Sequence, residues 1–296
     1  MKINRRLQNI SLIIVSGLAL IGFIIGSFLD QKITEKMGDF DNLFGILFTA
    51  LGPVLTLAFG VLAGSLLFFM PRIENKTWNL LFRVIGAAAI FGFIFSQVKE
   101  GLEYVDFPIM QAEKQTYMVL ILVLIGLIDL TIVLFSRIWI KKTELNNMIK
   151  VCLLIIAIIA VYFVICEAVK YFASRPRPRV IDQGLHEFKQ WYQWKPFAAF
   201  TSEYKDCKSF VSGHTANAAC LITILPLVSS LPRRENSNKI QIMSAIIGAL
   251  FVFIVAFSRI VAKAHFMTDV MGGIILSCGM QALVINVAPL IIKKIE

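Results

Sequence analysis

The chain has 296 residues, 57% of them hydrophobic and 16% charged, and its mean hydropathy is +0.76. Ordinary soluble domains are about half apolar and about a quarter charged, so a soluble globular class is excluded and lipid is the expected solvent. A net charge of +10 would suit a nucleic-acid binder, yet Lys and Arg sit in short clusters between apolar runs with no basic and aromatic face, so no nucleic acid is expected as a partner.

In chain order, apolar stretches of spanning length lie at about 9 to 29, 45 to 70, 79 to 98, 118 to 136, 151 to 169, 212 to 231, 240 to 258 and 270 to 292. The first follows Met-Lys-Ile-Asn-Arg-Arg and resembles a signal peptide, but its length and the lack of a small-residue cleavage site predict a retained span. Backbone facing hydrocarbon must satisfy its own hydrogen bonds, and the runs lack the alternation of barrel strands, so all eight are read as helices. The expected fold class is all-α, a polytopic membrane helical bundle of about eight transmembrane helices. Residues 1–150 would supply spans one to four and residues 151–296 the rest, in one integrated membrane domain without soluble domains or repeats.

With a cytoplasmic N-terminus, the cytoplasmic side receives fourteen Lys and Arg residues, from Lys2, Arg5 and Arg6 to Arg233, Arg234, Lys293 and Lys294. The ordinary loops opposite, at about 30 to 44 and 99 to 117, hold four basic residues against eight acidic ones. The positive-inside rule therefore places both termini in the cytoplasm. Two further loops on the far side, 170 to 211 and 259 to 269, are rich in Lys and Arg and break that pattern, which calls for a functional reason. Within the spans, Arg83 can snorkel, whereas Asp129 lies mid-span and needs a polar partner or a proton. Both are read as structural, with Asp129 the residue of interest should the extra helices form a second pathway. Four of the five cysteines lie in apolar runs and Cys207 in a polar loop, so no disulfide framework is visible.

Three segments carry chemistry. Lys170-Tyr-Phe-Ala-Ser-Arg175-Pro-Arg177-Pro-Arg179 ends the fifth span, and its prolines force the chain out of the helix in extended form with four cations close together. Alone it could equally be an interfacial cluster on anionic head groups. Ser209-Phe-Val-Ser212-Gly213-His214-Thr215 opens the sixth run, where a helix N-terminus offers free amides to an anion beside His214, or is simply a structural cap. Ser258-Arg259-Ile-Val-Ala-Lys-Ala-His265-Phe-Met-Thr-Asp269 joins the last two runs. On a helix His265 and Asp269 would share a face, so that the carboxylate accepts the imidazole proton, or the pair is a plain helix contact. All three fall at one membrane surface, and two of the three histidines lie inside them.

These residues resemble the three-part signature of the type 2 phosphatidic acid phosphatase superfamily, which also includes vanadium haloperoxidases. K-x6-R-P matches Lys170, Arg177 and Pro178; P-S-G-H matches Ser212, Gly213 and His214 with Val211 in place of proline; S-R-x5-H-x3-D matches Ser258, Arg259, His265 and Asp269. The resemblance implies a six-helix core, so that one N-terminal helix pair is additional. It also implies a lipid phosphatase; the loop charges place its site on the outward face, and the short loops without targeting extensions point to a bacterial cell membrane. By the same resemblance His265 is the nucleophile that forms a phosphohistidine, Asp269 its orienting carboxylate and His214 the acid and base. Lys170, Arg177, Arg259, Ser212 and Gly213 would bind phosphate, and neither metal nor other cofactor is implied. Phosphorylated lipids of the phosphatidic acid, phosphatidylglycerophosphate or undecaprenyl diphosphate type are the expected substrates. A lipid phosphotransferase using the same histidine, or a transporter with a vestigial site, are the alternatives. The loop from about 180 to 209, with Phe188, Trp191, Tyr192, Trp194 and Phe197 among lysines, is expected on the head groups beside the site, either shaping substrate access or merely anchoring. His186, outside the signature, is assigned to the surface.

Overall fold

The computed structural model describes residues 4–40, 42–102, 114–140, 144–195, 206–231 and 237–292. Phe197 and the topology-setting Lys2, Lys141, Lys142, Arg233, Arg234, Lys293 and Lys294 lie outside them. The long helices are α1 (Arg5–Met37), α2 (Leu43–Phe69), α3 (Lys76–Leu102), α4 (Lys114–Ile140), α5 (Leu145–Ala173), α9 (Ser237–Val261) and α10 (Met267–Ile292). Between α5 and α9 the described residues form three short ones, α6 (Pro178–Asp182), α7 (Gly213–Ala219) and α8 (Leu221–Ser229). The chain is thus an all-α polytopic bundle. Among the described residues, seven helices are long and apolar enough to cross a membrane.

The sixth apolar run differs from expectation. It forms a 17-residue apolar segment, Gly213–Ser229, divided at Cys220 into α7 and α8. There the hydrogen bonds tighten to three-residue spacing, Cys220 N–H to the Asn217 carbonyl (3.0 Å) and Thr223 N–H to the Cys220 carbonyl (3.2 Å). Pro226 inside α8 further removes a donor. Hydropathy registers the apolar residues of this run but not the joint.

α7 is the centre of the bundle, in contact with α2, α5, α9 and α10. It lies between two apolar cores: Ala216 joins a cluster built from α2, α5 and α8, while Ala218 and Ala219 join one built from α1, α9 and α10. α3 and α4 pack chiefly on α2 and on each other, at the outside of the bundle. Lipid is as apolar as leucine, so helix association here depends on close packing, which small residues permit. A Cβ at Gly64 of α2 would lie 2.8 Å from the Gly86 carbonyl of α3. In the same way the buried stripe of α1, which includes Ala19, Gly22, Gly26, Asp30 and Thr34, lies against α10. A Cβ at Gly26 would lie 3.0 Å from the Thr268 amide. Asp129 is buried beside Gln97 of α3, whose amide donates to the Val54 carbonyl (3.2 Å). Arg83 donates to the Phe68 and Met70 carbonyls at 2.9 and 3.0 Å, tying α3 to the end of α2.

Candidate active site

Local backbone rules bring the three segments together at one end of the bundle. α5 stops at Ser174, whose left-handed conformation (φ 45°) closes the helix with an N–H bond to the Lys170 carbonyl. Arg177 is extended, and Pro178 opens α6 at its first position, where no amide donor is needed. The extended stretch pairs with the chain before α7: Arg177 N–H bonds the Asp206 carbonyl (3.0 Å) and Ser209 N–H the Arg175 carbonyl (2.9 Å). Ser212 caps α7, accepting the Thr215 amide at 3.4 Å, and its own N–H bonds the Asp269 carbonyl at 2.9 Å, which stitches the second segment to the third. A Cβ at Gly273 would lie 2.7 Å from the Ser212 carbonyl, so glycine is required for this approach.

Lys170, Arg177, Gly213, His214 and His265 line one cavity of about 330 Å³. Its lining also includes the apolar side chains Pro53, Leu57, Phe93, Ile159 and Phe163. Lys170 Nζ pairs with Glu167 at 2.6 Å, and Lys208 reaches the same carboxylate at 3.2 Å. The Lys170 ammonium packs directly on Gly213, where a Cβ would come within 2.7 Å of it. Arg177 Nε is buried and has no hydrogen-bond partner among the described residues. His214 Nε2 lies 3.5 Å from a Glu100 oxygen of α3. Cations and a helix N-terminus converging on a cavity form an anion site.

His265 is 2% exposed. Its Nδ1 lies 2.8 Å from the Ser209 carbonyl, and since a carbonyl can only accept, Nδ1 carries the proton and Nε2 keeps its lone pair. Burial, followed by the charges of Arg259, Arg177 and Lys170, holds the imidazole pKa well below its usual 6.5, so the ring is neutral at pH 7. The expected direct bond from His265 to Asp269 is absent: Nδ1 and Oδ2 are 3.8 Å apart. The reason is that α10 begins at Met267, so His265 stands before the helix and the pair does not share a helical face. Asp269 instead accepts from Arg175 Nη1 (2.6 Å), Ser209 Oγ (2.5 Å) and the Phe266 amide (2.8 Å). The last bond is one half of a capping box for α10.

Of the eight residues expected from sequence, five thus reach the cavity, while Ser212, Arg259 and Asp269 stand in the layer behind it. Arg259 is 3% exposed, close enough to both His214 and His265 to depress their charge, and its carbonyl holds the His265 amide at 3.2 Å. Sequence reasoning missed Asp30, Glu100, Glu167, Lys208, Ser209 and Thr268. Glu167 lies one helical turn before Lys170, Ser209 and Thr268 stand inside the second and third segments and Lys208 beside the second, so these carried a local signal; Asp30 and Glu100 meet the site across long stretches of chain. The aromatic loop also differs from a plain head-group anchor. Trp191 packs edge-on against Phe23 of α1 (4.9 Å between centroids) and donates to Ser27 Oγ at 3.1 Å, and Phe188 packs on Phe266 at 5.2 Å. Tyr192 and Trp194 remain exposed. His186 sits 3.9 Å from the Cys207 sulfur, outside the cavity. All five cysteines are buried and free, and no group of three or more His, Cys, Asp or Glu side chains suited to a metal occurs among the described residues.

Comparison with known proteins agrees with this geometry. A match to phosphatidylglycerophosphatase B of Bacillus subtilis (strain 168) is 40% identical over 67 residues, covering 22% of this chain and 32% of that protein. The chain therefore spans about a third of that relative's length in the matched region. No solved structure matches at a significant level. The model of the PAP2 superfamily matches residues 150–292, the stretch that holds α5 to α10 and all three segments, and over that stretch the chain belongs to the PAP2 superfamily.

Proposed function

We propose that the chain is an integral membrane phosphatase that removes phosphate from a lipid phosphomonoester or diphosphate through a phosphohistidine at His265. The carrying observation is the mixed lining of the cavity: two histidines and cations together with apolar side chains, as an amphipathic phosphate ester requires. The neutral imidazole with its Nε2 lone pair is the nucleophile. In the first step Nε2 attacks phosphorus, the bond to the lipid oxygen breaks, and His214 gives that oxygen a proton. In the second, His214 takes a proton from water as the water oxygen attacks phosphorus and the N–P bond breaks. Glu100, 3.5 Å from His214, is within reach to stabilise its protonated form. Lys170, Arg177 and the Gly213 amide stabilise charge on the phosphoryl oxygens, Arg259 adds its charge from the layer behind them, and Ser212 fixes the turn that presents that amide. The residues alone suffice for these steps, without a metal.

The name of the Bacillus relative supports a phosphatidylglycerophosphate substrate, within a class that includes phosphatidic acid and undecaprenyl diphosphate. The Lys and Arg bias supports cytoplasmic termini and an extracytoplasmic site in a bacterial cell membrane. The test is phosphate release from a panel of lipid phosphates by detergent-purified protein with excess chelator, against His265→Ala. Release that survives chelation and disappears in the variant is expected; equal release from the variant, or none from any lipid, sinks the reading and turns attention to transfer or transport.

A further inference from the structure

Behind the imidazole, α1 supplies a carboxylate that lies outside both the signature and residues 150–292. Asp30 is 2% exposed. Its Oδ1 accepts the Thr268 amide at 2.8 Å, and its Oδ2 accepts the Thr268 hydroxyl and Arg175 Nη2, the latter at 2.9 Å. It therefore caps α10 from another helix, at an amide in the first turn that has no partner within its own helix. Gly26, one turn earlier, is what lets α1 come this close.

The connection continues toward the chemistry. Arg175 Nη1 donates to Thr268 Oγ1 (2.8 Å) and to Asp269 Oδ1 (2.6 Å), and its Nε to the Lys189 carbonyl (2.8 Å). Its guanidinium also lies 4.2 Å from the Phe266 ring centroid, between His265 and α10. Asp269 in turn holds the Ser209 hydroxyl, and the Ser209 carbonyl holds His265 Nδ1. A contact serving merely to seat α1 could have been apolar; a fully buried carboxylate with three donors, aimed at the turn that carries the imidazole, fixes geometry and tautomer instead.

We propose that Asp30 is a positioning residue: through Arg175, Thr268 and Asp269 it fixes Ser209, and with it the Nδ1–H tautomer and aim of His265. The proposal rests on His265 being the nucleophile, and its test must separate the two readings. The chain has three histidines, so selective ¹⁵N-histidine labelling of the full-length protein in detergent gives three imidazoles, with His265→Ala to assign one. Asp30→Asn keeps the size and an acceptor but removes the charge that Arg175 pairs with. The expected result is loss of the single Nδ1–H pattern of His265 and a kcat about ten- to a hundredfold lower at nearly unchanged KM. Thr34→Val, one turn along α1, removes a buried hydroxyl bonded to the Asp30 carbonyl (3.0 Å) and should change neither. Should Asp30→Asn fail to fold, Thr268→Val breaks the same network more gently and should move both readouts in the same direction. An unchanged tautomer, or a kcat equal to that of Thr34→Val, overturns the proposal. A tautomer that depends on Asp30 in a protein releasing phosphate from no lipid keeps the positioning network and overturns the phosphatase reading.

Discussion

Two faces of His265 are built from the same stretch of chain yet by opposite rules. Behind it, Arg175 is 1% exposed and makes four side-chain hydrogen bonds, two of them to carboxylates. In front, Arg177 faces the cavity with its Nε lacking a hydrogen-bond partner among the described residues. The first arginine is structural glue whose charge is offset within the protein; the second is held ready for an anion from outside. Two residues of separation, with Pro176 between them, are enough to divide holding the nucleophile from receiving the substrate. The contrast also divides the chain. The receiving face is largely made by residues 150–292, with Glu100 and apolar side chains from α2 and α3, whereas the holding face needs α1.

The same substitution at both arginines sharpens this comparison most. Arg175→Met leaves Asp30 and Asp269 buried with an uncompensated charge, a loss of about 3 to 5 kcal/mol, and little folded protein is expected on size-exclusion chromatography in detergent. Arg177→Met removes a cation from a wall that solvent or substrate already reaches. It should yield folded protein whose kcat/KM for lipid phosphate falls roughly 10²- to 10³-fold, the scale for deleting one donor to developing charge. Equal folded yields of the two variants would break the distinction.

How far each face was legible follows from the physics that makes it. Lys170, Arg177, His214 and His265 stand in short segments at fixed spacing, and the ends of apolar runs place those segments at one surface. Asp30 had no such signal. It meets Arg175 and Thr268 across 145 and 238 positions, and a carboxylate at the end of an apolar run reads as a loop charge. The break in the 17-residue sixth run is hidden because hydropathy counts apolar residues without sensing a joint at Cys220. The pairing of His265 with Asp269 was misjudged by assuming one helix across both, when the helix starts at Met267. Spacing rules see chemistry that is local, and they fail where a partner arrives from another helix.

A titration tests the front face more gently. Burial and the cations Arg259, Arg177 and Lys170 depress the His265 pKa, so its neutral form should persist as pH falls below 6.5. The unfolded chain takes up that proton near 6.5, so this group's contribution to stability declines as pH drops below that value. In a ¹⁵N titration Arg177→Gln, with one cation gone, should move the His265 transition upward toward 6.5. Asp182→Asn, remote from the ring, should leave it in place. An unmoved transition in Arg177→Gln would mean that Arg177 has no part in it and that burial, with Arg259 and Lys170, sets it.

The smallest effect is expected where an ion pair touches the catalytic loop from outside. Lys263 and Asp182 pair at 2.6 Å, but their side chains remain 24% and 47% exposed. Solvent screening leaves such a contact worth under about 1 kcal/mol. The loop does not depend on it, because backbone bonds already pin it: Arg179 N–H to the Lys263 carbonyl at 3.0 Å and Asp39 N–H to the Val261 carbonyl at 2.7 Å. Asp182→Asn should therefore change neither kcat nor the unfolding midpoint by more than about 2 °C, although its ion pair is as short as that between Arg175 and Asp269. A large loss would show that this loop is held by its rim, and that burial, rather than distance, is the wrong measure of what fixes His265.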